Sequence, residues 1–430
     1  IADADRIHDY VFSPHELKLI RGASALQTDL NRRRLPALIS PPDEVIFAGG
    51  GTILAKFHET KPNRAEDFCR EAERLFSHAT EIATVTTAIA PYPDNGFKQA
   101  RDVLMSTLDL KKSARARPRP NLSSPFWTAC SACGVHPAMT FSAHGDSDPL
   151  CTACRIREAH SDRSAYYAAD DCLPPDSFEQ IASLASPRNY LALLYIDVDR
   201  LGQFLSQEVE SEAEFKDISA RLDEAIRNAV DRTCRELLVK DKQAYYEILL
   251  MGGDDAVVML PAQHCFEFLC KFQCRYHAAF PLGPPRPFSV GMVIAHHHFP
   301  IAEFMRHAED LLCSAKRIDR VNSIDYVIIS SPTGERILEE RERPPEIDGL
   351  YRTLKPYSLN EFFALVDGLR ELKGDAPASK IKALYRLAYQ SQLQADLDYL
   401  DLLNRLEPNH HAGLLQVLGP TLWRDRGAGG

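Results

Sequence analysis

Tyr190-Leu-Ala-Leu-Leu-Tyr-Ile-Asp-Val-Asp199 opens with seven apolar residues in a row and closes on an Asp-x-Asp pair. A short continuous apolar run of this kind suits a strand buried on both faces. Further along, Tyr245 to Leu250 and Ala256 to Leu260 read as two short strands joined by Met-Gly-Gly-Asp-Asp. The glycines permit a tight turn and let backbone approach a phosphate closely. A long amphipathic stretch runs between them to about Leu238. After them come a helix near 264–279, a strand at Phe288–Ala295, a helix at 301–316 and a strand at Tyr326–Ser330. The order β-α-β-β-α-β, with an added helix and strand, is the ferredoxin-like arrangement on which palm domains are built.

Compared with itself, the chain shows a repeat. Asp3-Ala-Asp5-Arg6-Ile7 resembles Asp197-Val-Asp199-Arg200-Leu201 at an offset of 194, and Phe47-Ala-Gly-Gly-Gly-Thr52 resembles Leu250-Met-Gly-Gly-Asp-Asp255 at 203. Ile89-Ala90 matches Ile294-Ala295 and Lys111 matches Lys316, both at 205. A shared order with a slowly growing offset points to an internal duplication, and so to two palm-like units.

The second unit carries the chemistry. Asp197 and Asp199 end a buried strand, Asp254 and Asp255 sit in the hairpin, and in a palm sheet these elements are neighbours. Clustered hard oxygens call for Mg²⁺ or Mn²⁺, and two such ions can clamp the attacking and leaving oxygens of a phosphoryl transfer. Lys316, at a helix end, offers a point charge for a triphosphate. In the first unit Gly51 and Thr52 replace the hairpin aspartates. That copy, with Gly49 and Gly50 in its turn, is expected to hold a nucleotide or a partner without catalysis.

Between the units, Cys130-Ser-Ala-Cys133 is followed after seventeen residues by Cys151-Thr-Ala-Cys154. That spacing fits a closed four-thiolate structural zinc that folds a core-poor segment. Lys111 to Pro120, with five positive charges and no acid, reads as a solvated linker and the best local candidate for touching RNA phosphates. Arg341 to Glu346 reads as a second punctuation. Beyond it, 358–406 shows helical periodicity, with Leu359, Phe362, Phe363, Val366 and Leu369 on one stripe. Cys265, Cys270 and Cys274 read as small apolar residues buried on one helix, His296-His-His298 as an exposed loop, and His8-Asp9 as a bare dipeptide.

The 430 residues carry a formal charge of −10 and a pI near 5.9, with 45% hydrophobic and 26% charged residues. This excludes bulk disorder and a polycation that coats nucleic acid. No apolar run reaches the ~18 residues of a membrane span, nothing at the start resembles a signal peptide, and the scattered cysteines suit a reducing cytoplasm. The expected division is 1–118, a degenerate first palm; 119–187, a zinc-binding insert; 188–332, the second palm; and 333–430, a C-terminal helical domain. The fold class is α+β.

These residues together resemble the large subunit of type III CRISPR–Cas effector complexes, the multidomain CRISPR polymerase that makes cyclic oligoadenylate. The match includes Asp5-Arg-Ile-His-Asp-Tyr-Val-Phe12, Ile20-Arg-Gly-Ala-Ser24, Phe47-Ala-Gly-Gly-Gly51 and the two CxxC pairs. It continues through Tyr195-Ile-Asp-Val-Asp-Arg-Leu-Gly202, Gly252-Gly-Asp-Asp255, Val290-Gly-Met-Val-Ile-Ala-His296 through Ala315-Lys316, and Lys355-Pro-Tyr-Ser-Leu359. The resemblance implies two cyclase/polymerase-type palms that bind two ATP molecules at their interface. It implies that Asp197, Asp254 and Asp255, with Asp199 beside them, hold the metals. A ribose 3′-hydroxyl then attacks an α-phosphate and pyrophosphate leaves. Ser24 and Ser219 fall at adenine-contacting positions, Gly49, Gly50, Gly252 and Gly253 at nucleotide-binding turns, and Lys316 at a triphosphate. The implied partners are other type III effector subunits, guide RNA and target RNA, in antiviral defence. Many members carry an N-terminal HD nuclease; none is read here, so DNA cleavage is not expected of this chain.

Two other readings compete. A stand-alone GGDEF-like nucleotide cyclase needs neither a duplicated palm nor a zinc insert, and no Glu follows Asp255. A non-catalytic RNA-binding scaffold conflicts with two acidic pairs, which repel phosphate unless metal neutralises them.

Overall fold

The computed structural model describes residues 1–58, 63–93, 96–114, 126–143, 148–161, 166, 172–280, 285–329 and 355–375, with single positions at 379, 383, 397, 398 and 401. It parts into two compact units. One comprises Ile1–Arg286 with Val293–Arg306, the other Pro287–Met292 with His307 onward.

The first unit opens with strand β1 (Ala2–Asp5), helices α1 (Ile7–Val11) and α2 (Leu17–Asp29), and the hairpin β2 (Glu44–Gly49) and β3 (Thr52–Lys56). Helix α3 (Arg64–Thr80), strand β4 (Thr84–Thr87) and helix α4 (Phe97–Ala114) follow, and the sheet runs β2-β3-β1-β4. α3 buries Phe68, Ala72 and Phe76, each four residues after the last, as one helical face requires. α4 runs on through Lys111 and Lys112 to Ala114, so the start of the expected linker is helix; residues 115–120 lie outside the described residues.

The cysteine segment has a short ribbon, β5 (Thr140–Phe141) with β6 (Pro149–Leu150), and helix α5 (Thr152–Glu158). Gly22 of α2 lets that helix close on α5: a Cβ there would stand 2.0 Å from the Arg157 carbonyl oxygen. After α6 (Phe178–Ala182) comes β7 (Tyr190–Val198), extended as the apolar run predicts. The amphipathic stretch divides into α7 (Leu201–Glu208) and α8 (Glu212–Leu238). Ser211 caps α8, its side chain accepting from the Glu214 N–H at 3.2 Å. A small ribbon, β8 (Val239–Lys240) with β9 (Gln243–Ala244), leads to β10 (Glu247–Gly252) and β11 (Asp255–Pro261), then helix α9 (Cys265–Ala278).

The duplication is written into the backbone. Both hairpins carry a bulge at the same relative place, between Val45 and Phe47 and between Ile248 and Leu250. Asp3 opposes Thr52 as Asp197 opposes Asp255, the same offsets of 194 and 203 that the sequence repeat shows. Arg6 and Arg200, the residues after the two Asp-x-Asp pairs, both take positive φ, at 49° and 53°. The halves also exchange partners: α8 packs on β2 and α2 on β10. A shared core of Ile46, Leu54, Phe97, Val209 and Phe215 joins them.

The unit boundary passes through β12 (Phe288–His296) and α10 (Ile301–Ala315). In the second unit, β13 (Ser323–Ile328) pairs antiparallel with β14 (Tyr357–Ser358), which leads into α11 (Leu359–Asp375). Ser358 and Glu361 cap α11 reciprocally, Ser358 N–H to the carboxylate at 2.9 Å and Glu361 N–H to the hydroxyl at 3.3 Å. Leu359, Phe362 and Val366 are buried as their spacing predicts, while Leu369 is exposed. The rest of the expected helical tail and the Arg341–Glu346 punctuation lie outside the described residues, the single positions apart. Among the described residues, no helix is long and apolar enough to cross a membrane.

Candidate active site

The β7–β11 register sets Asp197 directly against Asp255. Residues so opposed have Cβ atoms about 5 Å apart, and two carboxylates at that distance repel unless a proton or cation intervenes. Asp199 follows in the turn just beyond the strand, which ends at Val198, and is buried. The Val198 N–H donates to the Asp254 carbonyl at 3.0 Å, which ties the turn to the strand. Burial pushes the Asp255 carboxyl up to about 7, with the charges of Asp254 and Asp197 adding to it and His8 and Tyr195 opposing. Tyr195 Oη stands 3.5 Å from Asp255 Oδ2 and 3.4 Å from His8 Nε2. His8, read as part of a bare dipeptide, is thus a first-palm residue at the second-palm acids.

Asp223 on α8 organises the turn. It accepts from the Gly253 N–H at 2.8 Å, from Arg32 of the first palm at 2.7 Å and from Arg227 at 3.0 Å. Burial alone would raise its carboxyl; Arg227, Arg32 and the Gly253 N–H outweigh that and hold it below the ordinary carboxylate value. Ser219 lies one turn earlier on the same helix, buried. Ser24 on α2 is buried too, its Oγ 3.3 Å from the Tyr166 hydroxyl. That hydroxyl also accepts from the Met251 N–H at 3.2 Å, so a residue of the cysteine segment links α2 to the acidic hairpin.

The glycines make a contact the sequence reading did not assign to them. The two hairpin turns abut: a Cβ on Gly252 would lie 3.0 Å from the Gly50 nitrogen, and Gly50 itself takes φ +56°. A cavity of about 60 Å³ adjoins them, lined among others by Gly49, His8, Gln27, Asn31 and Asp255. It is far smaller than the roughly 300–1,000 Å³ of a site that encloses a small molecule.

The first-palm counterpart of the acidic pair already has its cation. Lys112 forms an ion pair with Asp3 and lies 4.0 Å from Asp5. Thr52 donates to Asp3, while Thr84 and Thr86 donate to Asp5 at 2.8 and 2.7 Å. Lys111 donates to the Thr87 carbonyl at 2.8 Å, so both lysines serve the fold and neither is a free linker charge. Lys316 follows α10 in the second unit and is exposed.

The four cysteines are buried, with ligand atoms all within 4.8 Å of one another. Cys133 and Cys151 Sγ are 3.9 Å apart, close to the ~3.8 Å edge of a tetrahedron with 2.3 Å metal–sulfur bonds. Hydrogen bonding to the Cys151 and Cys154 thiols holds Cys133 well below the ordinary thiol value, so the set favours a thiolate. Arg157, fully buried, donates to the Tyr10 carbonyl at 2.7 Å and stands 3.5 Å from Cys154 Sγ, placing positive charge beside the sulfurs. His296, His297 and His298 form the second such group among the described residues; the hairpin acids are not one. Mg²⁺ does not require it, since it keeps several waters and uses one or two carboxylates. Cys265 is buried as expected, but Cys270 and Cys274, one turn apart, are exposed on another face of α9.

Residues 190–325, which include the acidic hairpin and its partner strand, match the model of the Cas10/Cmr2 second palm domain. Over this stretch the chain is similar to a Cas10/Cmr2 palm. The Cmr2 subunit of the CRISPR Cmr system of Pyrococcus furiosus is 25% identical over 153 residues, 30% of this chain and 17% of that protein. A Csm1–Csm4 cassette in complex with one ATP matches with a TM-score of 0.63 at 17% identity, covering 98% of this chain and 69% of that one. Csm1 of T. onnurineus matches with a TM-score of 0.60 at 17% identity, covering 99% and 65%. The Cas10-type fold expected from the sequence therefore stands.

Proposed function

We propose that the Cas10-type palm joins ATP into cyclic oligoadenylate, as the large subunit of a type III CRISPR effector complex activated by target RNA. The observation that carries this reading is the Asp197–Asp255 cross-strand pair with Asp254 in the turn beside it. Crystal structures of the similar Csm1–Csm4 cassettes with ATP, cA3 and cA4 support it. In this reading residues 188–332 catalyse, 1–118 hold a second nucleotide, 119–187 form a zinc-stabilised insert and 333–430 a helical domain.

Asp197, Asp254 and Asp255, with Asp199 two residues on from Asp197, would hold Mg²⁺ or Mn²⁺. Such ions supply charge neutralisation at the attacking and leaving oxygens. Asp223 holds the turn by its Gly253 bond, and Arg32 extends that hold into the first palm. Ser24 and Ser219 would face adenines, Gly49, Gly50, Gly252 and Gly253 would border the nucleotides, and Lys316 would meet a triphosphate. Lys112 keeps the first palm metal-free by occupying its acidic pair. Cys130, Cys133, Cys151 and Cys154 would hold the zinc. Other effector subunits, guide RNA and target RNA would supply activation.

The test is the assembled complex with target RNA, ATP and Mg²⁺ or Mn²⁺, its products read by mass spectrometry. Oligoadenylates are expected from the native protein and none from Asp254→Ala with Asp255→Ala. Native yield from the double variant would overturn the assignment.

A further inference from the structure

Gln27 and Asn31 lie four residues apart around the C-terminal end of α2, on one helical face, and both line the cavity beside the two glycine turns. Each is about 4% exposed. Each also holds a buried polar atom with no partner among the described residues: Nε2 of Gln27, a donor, and Oδ1 of Asn31, an acceptor. Buried polar atoms in native proteins are almost always paired, so two neighbouring exceptions of opposite polarity ask for an explanation. Their surroundings sharpen the question. Thr28 between them is engaged with Tyr166, and Arg32 beside them with Asp223, so the neighbouring polar groups are satisfied and these two are not.

We infer that Gln27 and Asn31 read the base edge of a nucleotide bound against the first-palm glycine turn. The inference rests on the synthase reading above for the identity of that base. Adenine presents an acceptor ring nitrogen next to a donor exocyclic amine, which complements an amide N–H and an amide oxygen. The nucleotide widens the cavity as its base replaces the missing partners. Its phosphates then lie toward the turns, where Gly49 to Gly51 offer backbone without side chains. The pair selects substrate and takes no part in bond making.

The experiment uses the full chain and two shape-conserving variants, Gln27→Met and Asn31→Leu. ATP and GTP binding is measured by calorimetry with Mg²⁺, and thermal melting is followed in parallel. The expected result is a loss of ATP affinity of about 10- to 100-fold in each variant, with a smaller change for GTP. Melting temperature should hold or rise, because an apolar group replaces an unsatisfied one. Native ATP affinity and native ATP-over-GTP preference in both variants would overturn the inference, as would no ATP binding by the native chain. Lost affinity accompanied by a lowered melting temperature would also overturn it, by marking the pair as structural. If selectivity falls as expected but the native complex makes no oligoadenylate, the synthase reading fails and base reading stands.

Discussion

Asp255→Asn is expected to stabilise the fold above neutral pH while ending the proposed synthesis. The folded chain raises this carboxyl from the ordinary 3.8 to about 7 through burial and the neighbouring Asp254 and Asp197. At about 1.4 kcal/mol per pH unit the gap is worth roughly 4 kcal/mol, which solvent screening of this half-buried side chain reduces to about 2 kcal/mol. The sign follows from proton counts. Below about pH 4 the group is protonated in folded and unfolded chains alike. Between about pH 4 and 7 the folded chain keeps a proton that the unfolded chain releases, so stability falls as pH rises; above that the full penalty stands. Asparagine carries no such penalty. The variant should therefore melt about 2 °C higher than the native chain at about pH 8 and close to it at about pH 4. Mg²⁺ should raise the native melting temperature at the higher pH and leave the variant's nearly unchanged. A difference between the two proteins that stays flat across this range would refute the account of repelling carboxylates.

Three other perturbations test what holds the site. Arg21→Met strands Glu247, its buried partner, and should cost about 3–5 kcal/mol in urea unfolding; an unchanged midpoint would show the pair does not tie α2 to β10. Lys112→Met leaves Asp3 and Asp5 without their cation and should lower stability by about 1 kcal/mol at neutral pH, an effect that added salt reduces. One zinc per chain is expected by elemental analysis, and stripping it should open the segment around α5 to protease. An unchanged digestion pattern would count against a zinc-held insert.

Much of the second palm was legible because its signals are local. A continuous apolar run can only be buried, Gly-Gly-Asp-Asp between apolar strands can only turn, and two CxxC pairs at fixed spacing can only converge once their loops close. The repeat was legible for the same reason: Asp3 to Ile7 and Asp197 to Leu201 keep the residues that end a strand and start a helix. The candidate site was half legible. Asp197 and Asp255 announced themselves by motif, whereas Asp223, Arg32, Gln27 and Asn31 lie on helices with no motif around them, and His8 reads as nothing until Tyr195 is beside it.

By itself, then, the sequence determined most strands and the tight turn of the second palm, the duplication and the candidate acidic and thiol ligands, since each follows from neighbours within a few residues. Only the tertiary structure decided how the halves use each other. It set Gly50 against Gly252, Arg32 on Asp223 and Lys112 in the first acidic pair. Those choices depend on contacts between residues far apart in the chain, where packing and charge pairing act through space and leave no periodic trace in the order of amino acids.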